Sequence, residues 1–165
     1  MKKWLGTFLF AVVLAAAGYI LLSPQHQPAP AFALPNLQGQ TVNQSALQGK
    51  VTLINFWFPS CPGCVTEMPK LIQMAHDYQG KNFQFIAVSI PVPSDPLPVV
   101  KAYAEQHRLP FTVLYDEQGH TQQAYQVIAA PTSFLVNSKG QVVKTFVGEP
   151  DFAEVYRLTD SLLAE

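Results

Sequence analysis

The apolar positions of this chain fall into two unlike patterns. At the start, residues 4–22 form a run of 19 residues without a charge, preceded by Lys2 and Lys3. A stretch of about 18 or more apolar residues is long enough to cross a bilayer as a helix, whereas the apolar part of a cleaved secretory signal is usually roughly 7–15 residues. The run therefore predicts an N-terminal transmembrane signal anchor over residues 1–22. The competing reading is cleavage after Ala17, in the small-residue stretch LAAAG. From residue 32 onward the apolar residues come instead in short blocks. VTLINFWF (51–58) and FQFIAVSI (83–90) are nearly continuous apolar segments, as expected of strands buried on both faces in a parallel sheet.

Between and after these blocks the pattern changes period. A helix is predicted over residues 61–78, then PVPSDPLP as a proline-rich insertion, then a helix over 97–107. FTVLYD predicts a third strand, and a short helix is expected at 121–125. APTSFLVNSKGQVVKTFVG reads as a hairpin, with strands 132–136 and 142–147 around an NSKG turn. A helix over 152–164 closes the chain. Ahead of the first buried strand, FALPNLQGQTVN suggests two short strands around a turn, and SALQG a single helical turn capped by Ser45 and ended by Gly49. Strand–helix alternation implies an α/β domain with a mostly parallel sheet and helices on both faces. The final hairpin adds antiparallel strands and makes the sheet mixed. Pro69, inside the 61–78 helix, removes a backbone hydrogen bond and predicts a kink.

The segment between the two patterns, residues 23–31 (SPQHQPAPA), holds three prolines and reads as a semi-rigid linker. His26 in it reads as a spacer residue. Residues 32–165 then form one domain, long enough to bury a core without staples. Without Lys2 and Lys3 the chain has eight basic and eleven acidic residues. No basic patch argues for nucleic acid. The two lysines before the apolar run should remain on the cytoplasmic side, which carries the domain across.

The chemistry concentrates in FWFPSCPGCVTEMP. It contains the only two cysteines, Cys61 and Cys64. A structural zinc site needs two ligand pairs, and here there is one; His76 shares the helix with Cys64, and His107 and His120 are isolated. A permanent structural bridge across so small a loop would constrain the unfolded chain little. A redox pair suits the position better. The motif follows a buried strand and opens a helix, with Cys61 at the N-cap and Pro62 at the first helical position, where a missing N–H costs nothing. Free helix N–H groups and the helix dipole favour a thiolate there, and the thiolate is the attacking species in disulfide exchange. Cys64, one turn further in, is the expected resolving thiol.

The strand, the Cys-Pro-Gly-Cys motif, the helix proline and the later Ala130-Pro131-Thr132 together resemble the thioredoxin superfamily. The resemblance is closest to its TlpA/ResA-like, membrane-tethered extracytoplasmic branch, over about residues 32–148. It implies a thioredoxin-like fold preceded by a transmembrane helix, with no cofactor. It implies a cis peptide at Pro131, with that loop against the two cysteines and the backbone of Ala130 pairing with an extended client segment. Ala130 departs from the threonine or valine often found there and offers no hydroxyl. Asn55 stands where cytoplasmic thioredoxin has a buried aspartate, as is common in the extracytoplasmic branch. Trp57, in the shared phrase INFWFPSCPGC, is a further supporting position. Glu67, three residues after Cys64, is read two ways: a proton acceptor for Cys64, or a solvated helix carboxylate. Some relatives carry a functional glutamate after the second buried strand; here that segment has only Asp95, to which no role is given.

The resemblance implies a thiol–disulfide oxidoreductase, with a reductase favoured because Pro-Gly lacks the histidine of strongly oxidising relatives. Implied partners are disulfide-containing clients such as apocytochrome c and a membrane electron donor of the DsbD/CcdA type. The implied location is the cytoplasmic membrane, with the catalytic domain on the periplasmic side. Two alternatives remain. A Sco-type copper chaperone would use soft thiolates, with His120 as the only nearby histidine. A peroxiredoxin-like peroxidase would want a threonine and an arginine beside its cysteine.

Overall fold

The computed structural model describes residues 26–165; the predicted anchor, residues 1–22, lies outside the described residues. The elements in chain order are β1 (Gln27–Pro28), β2 (Ala33–Pro35), β3 (Thr41–Asn43), β4 (Val51–Trp57), α1 (Pro62–Asp77) and β5 (Phe83–Ser89). There follow α2 (Leu97–Gln106), β6 (Thr112–Tyr115), α3 (His120–Ala124), β7 (Thr132–Val136), β8 (Gln141–Val147) and α4 (Phe152–Leu163). Among the described residues, no helix is long and apolar enough to cross a membrane.

Six strands form one mixed sheet in the order β1-β8-β7-β4-β5-β6. The two apolar blocks of the sequence, β4 and β5, pair in parallel at its centre, and β6 extends them in parallel. Helices α1 and α2 make the crossovers that parallel neighbours require. On the other side of β4, the hairpin β7–β8 runs antiparallel. Its turn is tied by Asn137, whose Oδ1 accepts from the N–H groups of Lys139 and Gln141. Gly140 supplies the positive φ of 74° that the turn needs. A separate hairpin, β2–β3, packs beside the sheet. The helical turn that follows it is a 3-10 segment, Gln44–Leu47, and its cap is Asn43 rather than Ser45: Asn43 Oδ1 accepts from the Ser45 N–H at 2.9 Å. Asparagine reaches the backbone two residues on more readily than a serine inside the turn.

Gln27 and Pro28, within the segment read as a linker, pair antiparallel with Val142 and Gln141 of β8. A linker residue thus serves as a short sheet edge. Helix α1 runs through Pro69 without interruption.

Alternation along the strands divides the core in two. One cluster gathers Leu53 and Trp57 of β4, Phe85 of β5 and Leu135 of β7 against Met68, Leu71 and Met74 of α1, Val100 of α2 and Val155 of α4. The other gathers Ile54 and Phe56, Ile86 and Val88, and Phe134 and Val136 against Phe32, Leu34, Leu47 and Tyr125. The three longer helices therefore pack on one face. The opposite face is covered by the β2–β3 hairpin, the 3-10 turn and the residues that follow the short α3.

Candidate active site

Cys61 and Cys64 sit where the central strand β4 hands over to α1, at the end of the sheet to which the parallel strands point. Cys61 is the N-cap of α1 and Pro62 its first residue. The Cys61 Sγ accepts the backbone N–H of Cys64 at 3.2 Å, taking up one of the free donors that every helix start carries. The two sulfurs form a disulfide with a Cα–Cα distance of 5.2 Å. Both residues are nearly closed off: Cys61 is 4% exposed and Cys64 fully buried. The difference has the predicted sign but is small.

The Ala130–Pro131 bond is cis. The loop it belongs to lies against the motif, since a Cβ placed on Gly63 would stand 3.3 Å from Pro131 Cδ. A side chain at 63 would crowd the Pro131 ring, and glycine eases this approach. Ala130 is partly buried at the edge of the core, whereas Ile128, two residues before it, is 94% exposed. Trp57 is fully buried, with its ring 5.1 Å from that of Tyr103 and its Nε1 without a partner.

On the buried face of α1 that also carries Cys64, a polar chamber of Asn55, Glu67 and Ser133 side chains interrupts an otherwise apolar layer. Asn55 and Glu67 are both fully buried, so the solvated reading of Glu67 is overturned. Asn55 Nδ2 donates to Glu67 Oε1 at 2.8 Å and to Ser133 Oγ at 2.9 Å. The second oxygens, Asn55 Oδ1 and Glu67 Oε2, have no hydrogen-bond partner. Burial pushes the Glu67 carboxyl from 4.5 up to about 7, with Asn55 pulling the other way. A charged carboxylate is costly away from water, so the group holds its proton to near-neutral pH. Ser133 was not anticipated. Its signal was a serine in the apolar block TSFLV, in register with Asn55 on the neighbouring strand.

A second feature was also missed. Asp95, in the proline-rich segment after β5, is 2% exposed. Its Oδ2 accepts from the backbone N–H of Ser60, the residue before Cys61.

The remaining candidates stay apart from the pair. His120 opens α3, and His107 stacks on Tyr103 at the end of α2. Among the described residues, no group of three or more His, Cys, Asp or Glu is placed to hold a metal ion. The two arginines, Arg108 and Arg157, lie after α2 and on α4, not on the elements that carry the cysteines.

Comparison with known proteins agrees with this geometry. Residues 26–145 match the model of the AhpC/TSA family. A thiol-disulfide oxidoreductase ResA from Halalkalibacterium halodurans is 28% identical over 156 residues, covering 89% of this chain and 87% of the relative. A putative thioredoxin from Neisseria meningitidis, solved in solution, is 52% identical with a TM-score of 0.78, covering 86% of this chain and 93% of that one. A putative thiol:disulfide interchange protein DsbE from Chlorobium tepidum is 30% identical with a TM-score of 0.76, covering 85% and 98%.

Proposed function

This chain belongs to the AhpC/TSA family and is a ResA-like thiol–disulfide oxidoreductase of the thioredoxin superfamily, and we propose that it works as a reductase of protein disulfides on the outer side of the cytoplasmic membrane. The observation that carries the mechanism is the arrangement of the Cys61–Cys64 disulfide at a helix start, with the buried Glu67–Asn55–Ser133 network on the helix face that also carries Cys64.

In the reduced enzyme the Cys61 thiolate attacks one sulfur of a client disulfide. The client S–S bond breaks, a client thiolate leaves, and a mixed disulfide to Cys61 forms. Cys64 then loses its proton and attacks the Cys61 sulfur. The second client thiolate leaves and the Cys61–Cys64 disulfide forms, so two electrons have passed to the client. Glu67, one helical turn from Cys64, is the proton acceptor for Cys64. A carboxyl near 7 is matched to proton transfer at neutral pH. Asn55 holds that carboxyl in place without competing for the proton. Pro131 and the backbone of Ala130 receive the client as an added extended segment. Pro62 starts the helix and Trp57 fills the core beneath.

The uncharged run at residues 4–22 supports a membrane anchor and, with the preceding lysines, an extracytoplasmic domain. In that setting a membrane electron donor of the DsbD/CcdA type would re-reduce the pair, and apocytochrome c is a fitting client. The copper-chaperone and peroxidase readings fare worse: His120 and both arginines lie on other elements.

The test is covalent trapping in the full-length protein. Cys64→Ser should accumulate client adducts that dissolve with reductant, and Cys61→Ser should accumulate few. Adducts in equal amount from both variants would reject these roles. Recovery of the protein from the soluble fraction, with residues 1–17 removed, would reject the anchor.

A further inference from the structure

The carboxylate of Asp95 is out of place for a group with only a structural duty. It is buried, and burying a carboxylate is unfavourable unless it is well hydrogen-bonded. It stands one residue before Pro96, the N-cap of α2, yet that cap receives no side-chain hydrogen bond. The carboxylate turns instead across the loop to the residue that precedes Cys61. Its Oδ2 accepts from Ser60 N at 3.1 Å, from Ser60 Oγ at 2.5 Å and from Ser94 Oγ at 3.2 Å. The two hydroxyl oxygens are themselves 3.0 Å apart. Three donors on one oxygen fix the group tightly, and one peptide unit separates the bonded amide from Cys61.

We propose that Asp95 is a positioning residue which, held by Ser60, places a negative charge beside Cys61 and biases the pair toward its disulfide form. The inference rests on the reductase reading and supplies a physical origin for that direction. Two features at Cys61 oppose each other. The helix start favours a thiolate, and a fixed anion close by disfavours one. A reduced form made less stable in this way gives its electrons up more readily, the reverse of a strong oxidant whose reduced form is stabilised.

On α1 the titratable groups within the first two turns are Cys64 and Glu67; Lys70, His76 and Asp77 lie further along the helix. Residues 126–131, ahead of β7, carry none, residues 58–60 carry none, and residues 90–96 contribute Asp95 alone. Asp95 is therefore the one flanking anion contributed from outside the active-site helix.

The experiment is equilibration of the protein with glutathione at pH 8. Two glutathione thiols reduce the Cys61–Cys64 disulfide; their protons pass to the cysteines, and one glutathione disulfide forms. Asp95→Asn keeps the shape and removes the charge. It should shift the equilibrium constant toward the dithiol by about threefold to tenfold. Ser60→Ala keeps the charge but loses one of its tethers, and should shift the constant the same way by less. In a Cys64→Ser background, thiolate absorbance of Cys61 should appear at lower pH when Asp95 is replaced by Asn.

A merely structural latch would lower the melting temperature and leave both the equilibrium constant and the titration where they were; that result overturns the proposal. So does a shift toward the disulfide in Asp95→Asn, or a shift of opposite sign in Ser60→Ala. If Asp95→Asn does not fold, the sign of the Ser60→Ala shift decides. The ratio between variants judges Asp95, while the unmodified protein's own constant judges the reductase reading, so each can fail without the other.

Discussion

The two faces of the central sheet are built from the same strands and are opposite in character. On the face away from α1, β4 and β7 contribute Phe56 and Phe134, which form an aromatic triangle with Tyr125; centroid distances are 5.1, 5.7 and 5.1 Å. On the face beneath α1, the next residues along the same strands are Asn55 and Ser133, joined to Glu67. The face away from α1 buries mostly apolar surface; its strand threonines Thr52 and Thr132 are each hydrogen-bonded, and the Tyr125 hydroxyl is left unpartnered. The other carries the Asn55–Ser133–Glu67 network, with Asn55 Oδ1 and Glu67 Oε2 left unpartnered, in the layer that also holds Cys64. The first arrangement is favourable by itself. The second costs stability, and its persistence next to Cys64 is a chemical choice rather than a packing one.

The largest effect expected from this contrast is on the aromatic face. Phe56→Ala should cost about 3–5 kcal/mol of stability, measured by denaturant unfolding, while exchange per folded molecule stays close to the original. A comparable loss of exchange in the folded fraction would show that the two faces are not separable.

Next comes Glu67→Gln, whose effect depends on pH. Glu67 is raised from 4.5 to about 7 in the folded protein. Below 4.5 the carboxyl is protonated in both states. Between 4.5 and 7 the unfolded chain releases its proton first, so the folded state binds more protons and stability falls as pH rises. Above 7 the loss levels off at about 3 kcal/mol. Glu67→Gln should remove that decline, so the variant gains on the original protein from pH 5 to pH 8. Resolution of the mixed disulfide should slow over the same range. Parallel stability curves for the two proteins would break the assignment of a proton-holding chamber.

A smaller effect is expected at Asn55. Asn55→Ala strips the donor from both Glu67 and Ser133 and should cost about 1–3 kcal/mol. Because the Asn55 bond lowers the Glu67 pKa, its loss should also move the pH-dependent decline upward. A cost without that displacement would mean that Asn55 serves packing alone.

The contrast also explains what could be read from residues alone. β4, β5 and β7 were legible because continuous apolar blocks bounded by turn residues admit few other structures. The helix start at Cys61 and Pro62 was legible because each residue suits its position for a local reason. The chamber was not. Glu67 falls in the stripe Cys64, Glu67, Met68, Leu71, Met74 that α1 buries, and the spacing alone put it on the inner face. The expectation of a solvated carboxylate followed residue type instead of position. Asp95 stayed hidden because its partner Ser60 lies 35 residues away, and no local pattern connects two loops. The same holds for Gln27 and Pro28, whose strand exists only because β8 offers an edge.

The smallest expected effect comes from outside the chamber and tests how closed it is. Lys70 and Glu149 form a surface pair at 2.6 Å, with side chains 57% and 36% exposed. Such a pair contributes little to stability, roughly 0–1 kcal/mol. Both charges nevertheless reach Glu67: Glu149 raises its pKa and Lys70 lowers it. Glu149→Gln therefore removes an upward influence and leaves the downward one unopposed. The pH at which stability declines should move to lower values, while the stability at pH 3, where Glu67 is protonated in both states, changes by no more than the roughly 0–1 kcal/mol of the pair itself. Added salt should shrink the displacement, since exposed charges are screened over about 10 Å at 0.1 M. A buried chamber insulated from the surface would show no displacement at any ionic strength. A displacement that salt does not touch would point to a change in the packing of α1 rather than to charge.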